Sequence, residues 1–351
     1  MRKCTVVVMA FLMLALTAWG GDALRPLNVS LQPHNHGLPN FIMEKEGLLQ
    51  KAGLDVNFLV FASGPPQNEA LGAGEWDVGA MGGPPGIAGA IAYDTHIIGL
   101  AADDTPACDY WVRPDSPIAK ITGKVEGAPD ILGDADSWRG KTILCPTATS
   151  AHFMLIATLH RLGLTEDDVN IIHMDVPQAF TAFKAGHGDI VSLWDPQSVF
   201  AKDEGWVRVS SGPASGERMF CVIVASESAV KNRPNEILDW LRLYYEVCAK
   251  YKALPDETEE YLLQFQKENG MQVDRRTARV IVEERTMPTL EDQERMFAGE
   301  VGKREVDVIM NNVLDYFIAQ GRYEPKDKER LLARNYIDDT FIKKLIAEKK
   351  Q

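Results

Sequence analysis

Hydrophobic positions in this chain follow two rhythms up to about residue 225 and one after it. Short apolar runs at 27–31, 56–61, 76–81 and 96–101 are separated by amphipathic or glycine-closed stretches. Apolar runs of that length alternating with helical spacing predict strand–helix units and a parallel, helix-covered sheet. The helices expected between them begin at Asn40 and end at Gly53, run over 68–72, and run over 87–93 behind Gly82-Gly83-Pro84-Pro85-Gly86. Proline suits a first helical turn because its missing N–H would be unpaired there anyway. A second set of strands is expected at 142–145, 169–174, 189–193 and 206–209, with an amphipathic helix at 153–162. Residues 110–118 read as a strand leaving the first unit and 120–136 as a surface insertion. Residues 211–216 read as a connector, and 219–225 as a strand returning to the first unit. The chain therefore crosses between two units twice, near 111–115 and 212–220. From Ser226 on the spacing is helical, over 234–253, 257–269, 274–284, 290–298, 305–320 and 338–350, with Gly or Pro breaks between.

The N-terminus changes the picture. Arg2 and Lys3 precede an apolar stretch at 6–18, too short to span a bilayer, and Gly21-Asp22-Ala23 offers a small-residue cleavage site. Residues 1–23 are expected to be a signal peptide cleaved near Ala23, giving an exported, periplasmic protein. The net charge of −13 argues against a nucleic-acid partner, which needs a basic surface. It is compatible with a small anion held by a few oriented dipoles. Cys108, Cys145, Cys221 and Cys248 follow the apolar stretch, none in a CxxC pair, so zinc and thioredoxin chemistry are unsupported. Cys108 and Cys221 would be neighbours if the crossing strands lay side by side. A disulfide between them and free buried thiols are both open.

Candidate chemistry gathers at turns that precede helices. Pro146-Thr147-Ala148-Thr149-Ser150-Ala151-His152 places hydroxyls at the positive end of a helix, where an oxyanion can be held without a formal charge. Thr149, Ser150 and His152 are the candidates there, against the plainer reading of a helix cap. Gly83 and Pro84 are candidates for a backbone cradle, against a tight turn. His34 and Asn35 lie on the loop after the first strand. His34 and His36 lack a third ligand nearby, so no metal is expected. Trp111 could close over a ligand or stack on a cationic group. Trp194 and Asp195 end a strand; the acid would repel a simple anion. Either the ligand is a zwitterion with its cation near Asp195, or it does not reach that residue. The chain has no Gly-x-Ser-x-Gly elbow, no HExxH and no Walker loop, so neither catalysis nor a cofactor is expected.

Several motifs carry a family resemblance. Ala70-Leu71-Gly72-Ala73-Gly74-Glu75-Trp76-Asp77-Val78-Gly79, Arg113-Pro114-Asp115-Ser116-Pro117-Ile118, Ser137-Trp138-Arg139-Gly140-Lys141-Thr142, Thr149-Ser150-Ala151-His152, Gly186-His187-Gly188-Asp189 and Trp194-Asp195-Pro196 occur in that order. Together, over roughly 27–320, they resemble the periplasmic solute-binding proteins of ABC importers for nitrate, taurine and alkanesulfonates. The resemblance implies an α/β, two-lobed type II periplasmic-binding-protein fold with a central hinge and a helical C-terminal region. Lobe 1 would comprise 24–113 and 217–351, and lobe 2 114–216. It further implies capture of a small anionic or zwitterionic solute in the interlobe cleft by a monomer, and delivery to a membrane permease. A thiamin-pyrimidine synthase of similar fold is the enzyme alternative, but its Cys-rich iron-binding run has no counterpart here. A ligand sensor is the other.

Overall fold

The computed structural model describes residues 23–285 and 287–350; nearly all of the expected signal peptide lies outside them. Among the described residues, ten strands form two sheets: β1 (Arg25–Leu31), β2 (Leu54–Val60), β3 (Val78–Gly82), β4 (His96–Asp103), β5 (Asp109–Val112), β6 (Thr142–Cys145), β7 (Asn170–His173), β8 (Ile190–Leu193), β9 (Val207–Ser211) and β10 (Phe220–Ala225). The first sheet has the order β2-β1-β3-β10-β4 and the second β7-β6-β8-β5-β9. The α/β character and the two lobes match the expectation. The sheets are mixed, however, not parallel. β10 runs antiparallel between β3 and β4, and β5 antiparallel between β8 and β9. A strand that arrives from the other lobe has no crossover helix to turn it parallel. All six residues of β10 are buried, as befits a strand inserted inside a sheet covered on both faces.

The lobe boundary also differs from expectation. β5, which carries Trp111, belongs to the second sheet, so the chain leaves lobe 1 over 104–108 and not at 111–115. Tyr110-Trp111-Val112 is apolar enough for either sheet, and its spacing does not say which. The two crossings do lie side by side. Asp104 donates its N–H to the Met219 carbonyl (2.9 Å) and Gly212 to the Cys108 carbonyl (2.8 Å); Met219 donates to Thr105 Oγ1 (3.0 Å). Cys108 and Cys221 are nonetheless free, as are Cys145 and Cys248, and all four are buried.

The six expected C-terminal helices form, joined by two others, Glu227–Asn232 and Pro325–Ala333, which bury only Ala229 and only Leu331 respectively. One buried position gives the sequence no apolar period to read. The helix expected from Asn40 to Gly53 breaks at Gly47, whose φ of 64° ends the first segment. Helices Pro255–Glu268 and Arg275–Glu284 pack on each other. The first also packs on Leu38–Lys45 of lobe 1, and the second reaches Gln197–Asp203 of lobe 2. That hairpin forms one wall of the interlobe cleft.

Gly212 lies where the crossings touch: a Cβ there would stand 1.8 Å from the Thr105 carbonyl oxygen. Both partners are backbone, so neither can swing away. Gly212→Ala is expected to destabilise by about 1–3 kcal/mol or more by forcing the crossings apart, seen as a lowered urea midpoint. An unchanged midpoint would show that the crossings are not held at that spacing.

Candidate functional site

The cleft lies at the carboxyl ends of β1, β3, β4, β6 and β8, the place where open α/β sheets present ligand-binding loops. It encloses about 720 Å3 of space free of atoms, part of it open to solvent. The lobes meet across it. A Cβ on Gly82, at the end of β3, would stand 2.6 Å from Ser150 Oγ. His34 of lobe 1 meets Trp194 of lobe 2 edge to face, with ring centroids 5.4 Å apart.

On the lobe 2 side, helix Ser150–Arg161 begins at the cleft. Its N-cap, Thr149, does not cap the first turn: the hydroxyl instead donates to the Pro146 carbonyl at 2.6 Å. No side chain thus covers the first-turn amides, the end of a helix where anions are favoured. Ser150 Oγ is buried with no hydrogen-bond partner. It sits beside the Asp104 carboxyl and favours that group's ionised form, without a bond of good geometry. Ala148 has φ 60°, uncommon for a residue with a side chain. Its N–H donates to His152 Nδ1 (3.3 Å), which leaves the proton of that imidazole on Nε2, 2.7 Å from Glu166 Oε1. Burial pushes the Glu166 carboxyl up, but His152 and Arg322 together hold it below the usual range.

On the lobe 1 side, Gln67 organises the ends of the strands. It accepts from Gln32 Nε2 (2.8 Å) and donates to Ser30 Oγ (2.6 Å) and the Ala80 carbonyl (3.2 Å). His34 and His36 follow β1. Burial lowers their pKa values to about 4 and about 3, the second lowered further by the first, so both rings are neutral at pH 7. The Ala62 backbone beside His34 opposes the drop without a hydrogen bond of good geometry, so both nitrogens of His34 and Nε2 of His36 lack partners. The turn after β3 is poor in donors. Pro84 and Pro85 occupy the first turn of helix Gly83–Tyr93 and have no N–H to offer.

Helix Arg275–Glu284 brings in the single guanidinium that lines the cleft among the described residues. Arg285, at its C-terminal end, donates from Nε to Asp195 Oδ2 at 2.6 Å, both side chains largely buried. Its Nη1 has no partner. Burial raises the pKa of Asp195, while Arg285 opposes the rise. Asp104, also on the cleft, is raised by burial against the pull of Ser150 and Cys221. Behind the wall, burial pushes Asp109 up to about 6 although Ser198 donates to it at 2.5 Å and Arg208 stands 3.3 Å away. Burial pushes the Cys221 thiol well above its usual range.

Of the residues singled out from the sequence, His34, Asn35, Thr149, Ser150, Trp194 and Asp195 line the cleft. Four others do not. Gly83 faces Met219 and Met310, its missing Cβ making room for them, and Pro84 is packed beside it in the buried first turn of that helix. Trp111 is buried in the lobe 2 core, its indole N–H donating to Ser198 Oγ (3.3 Å). His152 is fully buried and supports the turn from behind. Asp195 meets Arg285, so a ligand cation there, one of the two alternatives the sequence left open, is not needed. Sequence reasoning missed Arg285, Asp104 and Gln266. Asp103-Asp104 directly follow an expected strand, and the strand-end rule could have found them. Arg285 and Gln266 sit among solvated helical charges, with nothing in spacing or composition to mark them.

The NMT1-like family profile matches residues 22–264, more than half of the chain. A protein of Brachyspira hyodysenteriae named as an ABC transporter periplasmic binding protein is 30% identical over 280 residues, 80% of each chain. A Bacillus subtilis protein named as aliphatic sulfonates-binding is 24% identical over 360 residues, 99% of this chain and 98% of that one. Among solved structures, the periplasmic aliphatic sulphonate binding protein SsuA of Escherichia coli superposes with a TM-score of 0.68. It is 19% identical, over 89% of this chain and 92% of the other, a likeness that shows the fold. With its two lobes, its cleft at the strand ends and these relatives, the chain belongs to the NMT1-like family, among the periplasmic binding proteins of ABC transporters.

Proposed function

We propose that this protein is the extracytoplasmic solute-binding component of an ABC importer. It captures a small anionic or zwitterionic solute, of the sulfonate, taurine or nitrate kind, and hands it unchanged to a membrane permease. It acts as a monomer in the periplasm after cleavage near Ala23. One observation carries the reading. Buried polar atoms without partners converge on a single cleft from both lobes: His34 Nδ1 and Nε2, His36 Nε2, Ser150 Oγ, Gln266 Oε1 and Arg285 Nη1. Folded proteins satisfy nearly all buried polar groups, and each one left over costs about 1–3 kcal/mol. Such a cluster in a lined cavity is a site awaiting its partner. Arg285 Nη1, the Ser150 hydroxyl and the open amides of helix Ser150–Arg161 supply donors for an oxyanion. Closure of the lobes about the two crossings would then exclude water from it.

Two features test the electrostatics. Removing Arg285 leaves Asp195 buried without its partner. Arg285→Ala is expected to lose solute binding and about 3–5 kcal/mol of stability. The double replacement Arg285→Met with Asp195→Leu should recover most of the stability, measured by urea unfolding, and none of the binding. Binding that survives the double replacement would remove Arg285 from the site.

The neutral histidines make stability depend on pH. Their folded pKa values lie below the unfolded value near 6.5, so the unfolded chain takes up protons first as pH falls. The associated stability is present above about pH 6.5 and drains away toward pH 4 at about 1.4 kcal/mol per unit for each ring. Asp109, raised to about 6, works in the opposite direction. The comparison is therefore between the protein and its His34→Asn variant, whose stability should fall less steeply by about 1.4 kcal/mol per unit over that window. Parallel curves would show that His34 is solvated and ionises freely.

Thermal unfolding of the mature protein with taurine, alkanesulfonates and nitrate tests the function itself. A solute at about 100 times its Kd should add about 2.7 kcal/mol and be recovered unaltered. A panel without effect, or a solute returned chemically changed, would overturn the reading.

A further inference from the structure

The charges of the cleft do not suit a bare anion. Three carboxylates line it, Asp103, Asp104 and Asp195, against one guanidinium, Arg285. His34 and His36 add no charge at pH 7. Arg285 is engaged with Asp195, and Asp109 behind the wall has Arg208. Asp103 is exposed and accepts the Thr105 N–H at 3.0 Å. Asp104 is partly buried on the cleft wall and, among the described residues, makes no ion pair; the Ser150 hydroxyl and the Cys221 thiol are its polar neighbours, and the Arg285 charge acts on it only from beyond ion-pair distance.

The unpartnered atoms point the same way. Gln266 is buried, donates from Nε2 to the Pro33 carbonyl (3.0 Å), and leaves Oε1 without a donor. Each neutral imidazole keeps one nitrogen as an acceptor. Ser150, 4% exposed, has an unpartnered hydroxyl facing the cleft beside Asp104. Arg285 Nη1 and the first-turn amides call for an oxyanion. Asp104 and Gln266 Oε1 call for N–H donors, and a nitrate or an alkanesulfonate brings none.

Resting on the solute-capture reading, we propose that Asp104 selects solutes that carry a protonated amine together with an acidic group. The acidic end lies on Arg285 Nη1 and the open turn of helix Ser150–Arg161, and the ammonium on Asp104. Asp195, already neutralised by Arg285, holds that guanidinium in place and does not meet the amine.

The test is calorimetric titration of the mature protein with matched pairs: 2-aminoethanesulfonate against ethanesulfonate, and 3-aminopropanesulfonate against propanesulfonate. In at least one pair the amino member should bind about tenfold tighter or more, the range of a hydrogen bond to a charged group. Asp104→Asn should abolish that preference while leaving the amine-free member bound as well or better. Asp103→Asn should keep the preference. If amine-free sulfonates bind but the amino members gain nothing, or if Asp104→Asn retains the preference, the assignment of Asp104 fails and solute capture stands. If no member of either pair binds, the sulfonate reading fails and takes this inference with it. Should Asp104→Asn not fold, the paired comparison on the unaltered protein decides alone.

Discussion

The cleft depends on one ion pair, Arg285 with Asp195. Each partner comes from a different lobe: Asp195 follows β8, while Arg285 ends a helix whose hairpin partner, Pro255–Glu268, packs on lobe 1. Neither charge would be stable alone at that depth, since an unpaired buried ion costs several kcal/mol. Together they let a guanidinium stand beside the cleft with Nη1 free. The pair therefore does two jobs: it fixes the helical hairpin against lobe 2, and it places a permanent positive charge on the cleft. Exposed contacts flank it, Arg276 with Asp203 at 2.8 Å and Lys202 with Glu284 at 3.9 Å. Exposed pairs of this kind contribute about 0–1 kcal/mol each, too little to hold the hairpin without the buried one.

The strand ends of the two lobes are not equivalent as binding surfaces. In lobe 1, Pro84 and Pro85 strip the turn after β3 of amides, and Gly83 spends its missing side chain on Met219 and Met310. In lobe 2, Thr149 turns its hydroxyl back to Pro146 and leaves the helix end open. Lobe 2 accordingly supplies the dipoles that suit an anion. Lobe 1 supplies neutral rings, an amide network around Gln67 and the Asp104 carboxyl. A solute spanning the cleft meets donors on one side and mainly acceptors on the other.

Much of the architecture was legible in the sequence because burial leaves a period. The short apolar runs gave the strands, and the helical spacing after Ser226 gave six of the C-terminal helices. What was not legible had no period to leave. Helix Pro325–Ala333 buries only Leu331. β5 is buried on both faces, and its apolar Tyr110-Trp111-Val112 fits either sheet, so its place in the second sheet was not legible. Several residues expected at strand ends, His34, Asn35, Ser150 and Trp194, do line the cleft, because topology puts them there. Trp111 and His152 were misjudged because a buried aromatic and a liganding one look alike in sequence. Arg285 belongs to neither group. It reaches the cleft only through the tertiary placement of a distant hairpin, a long-range fact that local spacing does not encode.

That placement bears on how the cleft opens. The crossings over 104–108 and 211–219 are the covalent links between the sheets, and backbone hydrogen bonds tie them to each other. Rotation about them must separate Gly82 from Ser150 and His34 from Trp194. It must also resolve the position of the hairpin, which is packed on lobe 1 and ion-paired to lobe 2. Parting Arg285 from Asp195 strands two charges, and only water entering the opened cleft can offset that. A solute whose acidic group engages Nη1 adds a second anion to a guanidinium already held by Asp195. It thereby strengthens the link that opening has to break. On the proposed reading, capture and closure are the same electrostatic event, because the charge proposed to recognise the solute is also the charge that joins the lobes.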